Sequence, residues 1–557
     1  MERQRALTLL IISLLLLLFL AKFFQICSVE FNQDEFLELH YAWRIWTGEQ
    51  PYGPSWERFK TPLMSYYLCI AHYLGDSVAG TMYFARFSIL PFALLMLYGA
   101  YRGASFLFDS RAGLIALLAL SCNTTFVDFS FALRSDLISS SIWALVLYLI
   151  LREGEEEKAE VHGLPTVIGL LLLLAFLFTQ KCYHYILLTF LILLLLPGKR
   201  GRMRPFLECS LSSALALLLY YCFMGYSAFE ANFLGPIRAS SISSSGIGME
   251  AIYSTWRWFL QESYRSLPFW IFALLGLIFV FSSFYHRRAS SGELRLALAL
   301  MGNLFFVVNH AEQFPHIYLM LLPSLTLSFV LALYRIEGYF GYSESLTLVL
   351  ALIVLLPPVG MRLREQLQPS LRLQYQIANI EWSEALSKRD DSVFDGVGMS
   401  FRRPSAYGDL CVAKLYSYRK GQMPDLIERL VERKCKLWIK NSRHLALPAR
   451  EKRWLREHFI HDWGNVFILG IAMDYDGGVR DFSLLSGGRF QLHWTGEGRA
   501  RIDGRSLDGD SLVLRPGKHS FEAESTGVLE LRYRAKATKL PDWSPRNPSV
   551  LFKDYAQ

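Results

Sequence analysis

Charge is scarce in this sequence. Only 19% of its 557 residues are Asp, Glu, Lys or Arg, against about 25% in a soluble globular chain. The eight cysteines form no Cys-x-x-Cys and no Cys/His spacing of a zinc site. Most sit in apolar stretches as small packing residues, and only Cys411 and Cys435 fall in soluble sequence. The net charge of +8 has no basic stripe behind it. Its lysines and arginines are scattered or lie in short connections, so nucleic acid is excluded as a partner. Neither the 371–473 stretch nor the 487–536 stretch carries a Gly-rich phosphate loop or a hydrolase motif.

Long apolar runs are abundant, and 52% of the residues are hydrophobic. About eleven blocks approach the roughly 20 residues that cross a bilayer as helix. They lie near 6–27, 80–101, 112–127, 136–151, 164–180, 182–197, 206–225, 267–285, 294–309, 316–334 and 345–361. The first follows Arg3 and Arg5 like a signal peptide. It is long and lacks a small-x-small cleavage site, so it reads as a transmembrane helix. Short basic connections (Met1–Arg5, Arg102–Arg111, Lys199–Arg204, His286–Arg295, Arg335) alternate with longer polar loops at 28–79 and 226–266. Lys and Arg in short loops mark the cytoplasmic side. The expected topology is a cytoplasmic N-terminus and an extracytoplasmic C-terminus.

Beyond residue 362 the composition changes. Residues 371–473 read as a small α/β unit, with strands in SVFDG, KLWIKN and VFILGIAM and helices in PDLIERLVERKC and PAREKRWLREHF. From 487 to 536 the period becomes two, as in RFQLHW, SLVLRP and VLELRYRA, and the stretch reads as a β-sandwich. Both suit an accessory or docking role.

In such a chain the polar residues that hydrocarbon should exclude carry the functional signal. Asp34, Glu35, His40, Lys60, Arg86, Asp128, Arg134, Asp136, Lys181, His184, Arg238, His310, Glu312 and His316 all fall at or near outer span ends or in outer loops. Few charges lie at mid-span, where a transporter normally needs them. The stretch FNQDEFLELHYAW has capping-box spacing from Asn32 to Glu35. A helix starting there holds Asp34 and Glu35 in its first turn, where the helix dipole favours their ionised forms. Phe36, Leu39, Trp43 and Trp46 recur on one face, with Glu38 and Arg44 away from it, as in a helix lying in the membrane interface. Lys181 occupies a tight turn between two apolar helices. With His184 it is a candidate site for the phosphate of a lipid-linked substrate, against simple snorkelling of Lys181 to headgroups. Arg134 and Asp136 open another span. His310, Glu312 and His316 fall close together, and a divalent metal there is one option, although their spacing is no known ligand pattern.

Asp34-Glu35, then Gly48, Pro51 and Tyr52, then Phe59-Lys60-Thr61-Pro62-Leu63, then Arg134 and Asp136 follow one another in an order that resembles GT-C fold glycosyltransferases. The likeness is to the bacterial family 39 relatives of protein O-mannosyltransferases and lipid A aminoarabinose transferases. It covers roughly residues 1–360 and the tail more loosely. Lys-Thr-Pro at 60–62 departs from the Lys-Pro or His-Pro-Pro often found there. The resemblance implies a multi-pass protein of the bacterial inner membrane. Such a protein transfers a sugar, with inversion, from a polyprenyl-phosphate donor to an extracytoplasmic lipid, glycan or protein acceptor. Asp34 is then the expected general base, with Glu35 and Asp136 as further catalytic carboxylates. Lys181, His184, Lys60 and Arg134 are expected at the donor phosphate, and His40, Tyr52, His310, Glu312 and His316 elsewhere around the substrates. Two rival readings are a transporter or flippase of lipid-linked sugars and a non-catalytic envelope scaffold.

Overall fold

The structure is a computed structural model that describes residues 2–52, 61–153, 163–196, 203–230, 257, 259–309, 314–367, 371–410, 412–507 and 511–534. Two compact units emerge. One comprises Met1–Val29, Gln50–Tyr67 and Tyr83–Pro369, the other Glu30–Glu49, Leu68–Met82 and Ser370–Gln557. In chain order the principal helices are α1 (Glu2–Ser28), α2 (Gln33–Trp46), α3 (Leu63–Leu74), α4 (Val78–Leu107), α5 (Ser110–Ser121), α6 (Thr124–Phe129), α7 (Ser135–Glu153), α8 (Leu164–Phe178), α9 (Tyr183–Leu195), α10 (Met203–Met224), α11 (Leu267–Tyr285), α12 (Ser291–Val308), α13 (Leu322–Phe340), α14 (Glu344–Gln366) and α15 (Leu371–Leu386).

The first unit is a helical bundle with the make-up of a multi-pass membrane protein. Among the described residues, α1, α4, α7, α10, α11, α12 and α14 are long and apolar enough to cross a bilayer. Shorter apolar helices cover the blocks at 112–127, 164–180 and 182–197. The first of these breaks between α5 and α6, where the Asn123 side chain accepts from the Thr125 N–H at 3.0 Å and caps α6. The α7 helix is central, with Trp143, Leu147 and Ile150 fully buried. By contrast α10 leaves Leu211, Leu215 and Phe223 exposed, as a helix facing lipid would. Small residues let the helices approach closely. A Cβ at Gly99 of α4 would fall 2.6 Å from the Ala144 carbonyl carbon of α7. Gly276 of α11 meets Ser328 of α13 in the same way, and Ser328 Oγ donates to the Ala273 carbonyl at 2.6 Å.

Charges gather at the helix ends. Buried Arg86 donates to the Ile26 and Val29 carbonyls (3.3 and 2.6 Å) and so closes the C-terminal end of α1, where a cation favours the dipole. At the opposite end of the bundle, Arg295 donates to Ile150 O and Leu196 O (2.5 and 2.6 Å) and closes α7 and α9 together. Arg111 bonds Tyr334 and Glu337 there, at 3.0 and 2.9 Å.

The second unit is built on two sheets. The larger has the order β1-β2-β4-β11-β6-β9, with β3 also on β4. Its strands are β1 (Val393–Phe394), β2 (Leu437–Ile439), β3 (Phe459–Trp463), β4 (Val466–Tyr475), β6 (Gly488–Trp494), β9 (Ser511–Leu514) and β11 (Gly527–Tyr533). The smaller orders β5 (Arg480–Leu484), β10 (Gly517–Ala523), β7 (Ala500–Ile502) and β8 (Arg505–Ser506) as β5-β10-β7-β8. Leu531 of β11 faces Ile471 of β4 in antiparallel register. The stretches 371–473 and 487–536 therefore share one sheet, and a single core runs from Phe394 through Trp438 to Phe490 and Phe521.

Candidate functional site

In the first unit three turns meet at one end of the bundle. The segment after α6 brings Arg134 to the start of α7. A one-turn 3-10 helix, Gln180–Cys182, carries Lys181 between α8 and α9, and a second, Pro315–Met320, carries His316 ahead of α13. Asp136, in the first turn of α7, lies among them. Its Oδ1 is 3.6 Å from Lys181 Nζ, and its Oδ2 is 3.7 Å from both Arg134 Nε and His316 Nε2. Arg134 Nη2 donates to His316 Nε2 at 2.8 Å. A ring nitrogen that accepts from a guanidinium is unprotonated, so His316 enters as a neutral imidazole and its approach to Asp136 is a contact rather than an ion pair. Among the described residues the cluster brings together two cations and one carboxylate. Arg134, Asp136 and His316 are buried, whereas Lys181 keeps 21% of its side-chain surface exposed.

The frame around these groups is stiff. Trp143 of α7 stacks on Tyr185 of α9, with centroids 4.5 Å apart and planes 2° from parallel. Tyr185 Oη in turn donates to Met320 O at 3.1 Å, joining α7, α9 and the 315–320 turn. His184 is buried against Tyr185 and Phe306, and its Nδ1 lies 2.8 Å from the Lys181 carbonyl. It shapes the turn that presents Lys181. Asp128 accepts from Arg362 (2.7 and 3.0 Å) and from Gln366 (2.6 Å), tying the 124–134 segment to α14. Tyr52, at a positive φ of 64°, pairs its hydroxyl with that of Tyr220 at 3.2 Å. Lys60, Arg238, His310 and Glu312 lie outside the described residues.

In the second unit α2 begins as its sequence indicates. Asn32 Oδ1 accepts from the Asp34 N–H at 2.9 Å, and Glu35 Oε1 accepts from the Asn32 N–H at 3.0 Å. This capping box gives Glu35, 1% exposed, a structural task, whereas Asp34 is only half-buried. The expected interfacial helix is corrected here. Glu38 and His40 are buried along with Phe36 and Leu39, and the backbone of the 395–401 loop packs over the His40 side of this helix. A Cβ at Gly398 would fall 2.6 Å from His40 Cβ. Burial, with Arg44 next in weight, pushes the His40 imidazole down to about 3, so it is neutral and acts as a packing residue. His72 Nε2 donates to the Leu39 carbonyl at 2.9 Å in the same layer.

Sequence reasoning passed over Lys22, a lone cation in an apolar run, and Arg362, the partner of Asp128. For Lys22 the signal was present, since a charge inside a span is costly and marks function by default. Among the described residues no three His, Cys, Asp or Glu side chains are grouped to hold a metal ion.

A family model described as dolichyl-phosphate-mannose-protein mannosyltransferase matches residues 60–226, less than half of the chain. No curated protein matches. Among solved structures, that of ArnT from Cupriavidus metallidurans in the apo state aligns with a TM-score of 0.54 at 12% identity, covering 82% of this chain and 97% of that one. The same protein bound to undecaprenyl phosphate gives 0.55 at 12%, covering 83% and 97%. The Archaeoglobus fulgidus oligosaccharyltransferase in complex with Zn and sulfate gives 0.50 at 12%, covering 76% and 67%. At such identities the likeness establishes the fold, which is that of the GT-C membrane glycosyltransferases.

Proposed function

We propose that the protein is a membrane glycosyltransferase that moves a sugar from a polyprenyl-phosphate donor to an extracytoplasmic acceptor. The observation that carries this reading is the convergence of Arg134, Lys181, His316 and Asp136 at one end of a GT-C bundle. Undecaprenyl phosphate bound to the structurally similar ArnT and the mannosyltransferase model over 60–226 support the same substrate class.

The chemistry follows from the groups present. An acceptor hydroxyl attacks the anomeric carbon, the bond from that carbon to the phosphate oxygen breaks, and the carrier phosphate leaves with the electron pair. Lys181 and Arg134 stabilise the charge that develops on it, as preorganised cations do in a water-poor site. Asp136 holds the two cations in place. Its charge is engaged by them, so it suits positioning better than proton transfer. For the proton acceptor we assign Asp34, the less buried acid of the pair that opens α2, with ionisation favoured by the helix N-terminus. One base and no enzyme nucleophile give inversion, unlike the two-carboxylate retaining route. A divalent ion is compatible with this scheme, and Zn in the archaeal structure makes it worth testing. The short basic connections support an inner-membrane location with the N-terminus in the cytoplasm and this cluster on the opposite side.

Purified protein incubated with a panel of polyprenyl-phosphate sugars should release free carrier from at least one of them. Donors that all stay intact in the presence of envelope lipid, glycan and protein acceptors would remove the assignment.

A further inference from the structure

A groove of about 470 Å³ runs along the flank of the first unit between α1, α4 and α5. On α1 it extends from Ile12 to Lys22, about 15 Å of helix and close to half the hydrocarbon thickness of a bilayer. Its walls are Leu15, Phe19, Leu94, Leu97 and Leu117 with their neighbours, and Lys22 is the single charged residue among the described residues that line it. Lys22 is 7% exposed. Its Nζ donates to Val127 O at 2.8 Å and lies 5.7 Å from the ring centroids of both Phe126 and Phe131. Asp128, the next residue after Val127, has its carboxylate bonded to Arg362 and Gln366. A carbonyl and two ring faces leave the ammonium's charge available to an anion, and an ammonium in hydrocarbon is costly without one.

The groove shares a wall with the cationic cluster. Phe126 and Val127 line it and Phe131 faces Lys22, while Phe129 of the same segment packs on His316 with centroids 6.1 Å apart and Arg134 follows in the cluster.

We propose that this groove holds the isoprenoid chain of one polyprenyl phosphate, with Lys22 drawing the phosphate end toward the 126–134 segment. One apolar channel whose described lining carries one cation and no acid fits a single-chain anionic lipid. A zwitterionic, two-chain phospholipid brings a second chain and a second charge for which the groove has no counterpart. The proposal rests on the lipid-linked donor reading and adds where the carrier's chain lies.

The test uses the full chain in nanodiscs and undecaprenyl phosphate with a photoreactive diazirine on its distal isoprene. Adducts are expected on the α1, α4 and α5 residues of the groove, competed by undecaprenyl phosphate and not by the same concentration of phosphatidylglycerol. Leu94→Trp, at a position 46% exposed where a larger side chain does not disturb the core, should cut the adduct yield about tenfold. Lys22→Met should weaken undecaprenyl phosphate binding about tenfold or more, as loss of a charge-assisted contact does, and leave undecaprenol binding unchanged. Adducts outside the groove, or equal competition by phosphatidylglycerol, would overturn the proposal. Sugar transfer measured in the same preparation keeps the two readings apart. Intact transfer with adducts elsewhere sinks the groove alone, and groove adducts without transfer sink the enzyme reading alone.

Discussion

Lys181→Met removes the most accessible cation of the cluster while keeping a straight apolar stem. A charge-assisted hydrogen bond contributes about 1.5–3 kcal/mol, which corresponds to about tenfold to a hundredfold in affinity. The donor phosphodiester carries one negative charge and the leaving carrier phosphate gains a second during transfer. The loss should therefore appear in KM for the donor and also in kcat. The structure supplies a rival cause, because Lys181 also sits 3.6 Å from Asp136 and its removal strips that acid of one counter-charge. A double-mutant cycle separates the two. If Lys181 served only to balance Asp136, then adding Asp136→Asn would restore activity, since neither charge would need the other. If Lys181 binds the phosphate, the double variant stays at least as poor as Lys181→Met. The assay is steady-state release of carrier in detergent micelles over a range of donor concentrations. A donor KM and a kcat both unchanged in Lys181→Met would reduce the residue to a headgroup anchor and refute the reasoning.

Asp34→Asn preserves size and the Asn32 cap and should lower turnover by about 10²–10⁴, the usual cost of losing a general base. Glu35→Gln keeps the capping oxygen and should retain most activity, and a collapse of turnover there at unchanged stability would transfer the role to Glu35. Burial depresses the imidazoles of His40 and His444 to about 3 and that of His72 to about 4. The unfolded chain, near 6.5, then binds more protons than the folded one below that pH. The sign is a stability fully present above about pH 6.5 and lost as pH falls toward the folded values, up to about 1.4 kcal/mol per pH unit for each group. Tryptophan-monitored melts of the full chain should show this decline, His40→Gln should make it shallower by about a third, and a midpoint constant from pH 7 to 4 would contradict it. A reporter active only outside the cytoplasm should work when fused after Gln366, and activity of a cytoplasm-only reporter there would reverse the topology.

Much of this architecture is legible in the sequence because hydrocarbon and pleated sheets impose simple patterns. Apolar blocks became helices, and RFQLHW and VLELRYRA became β6 and β11. Arg134, Asp136, Lys181 and His316 stood out singly, since each is polar at the edge of an apolar run. Their convergence was not visible, because it depends on three turns far apart in the chain and on the Trp143–Tyr185 stack that sets their spacing. The burial of α2 was hidden for a related reason. Its second packing surface is the 395–401 loop, which lies hundreds of residues downstream, so the helix looked one-sided. Likewise β4 and β11 pair across what read as a change of domain, a register that no local period reports.

The most direct test of the central claim is a stoichiometry. Full-length protein in proteoliposomes is given a polyprenyl-phosphate sugar labelled in both sugar and carrier, together with an acceptor fraction, and both labels are followed. A transferase should release one free polyprenyl phosphate for each sugar joined to acceptor, with Arg134→Met and Lys181→Met depressing both in parallel. Donor that crosses the bilayer with its sugar still attached, and no free carrier, would make the protein a transporter and contradict the account.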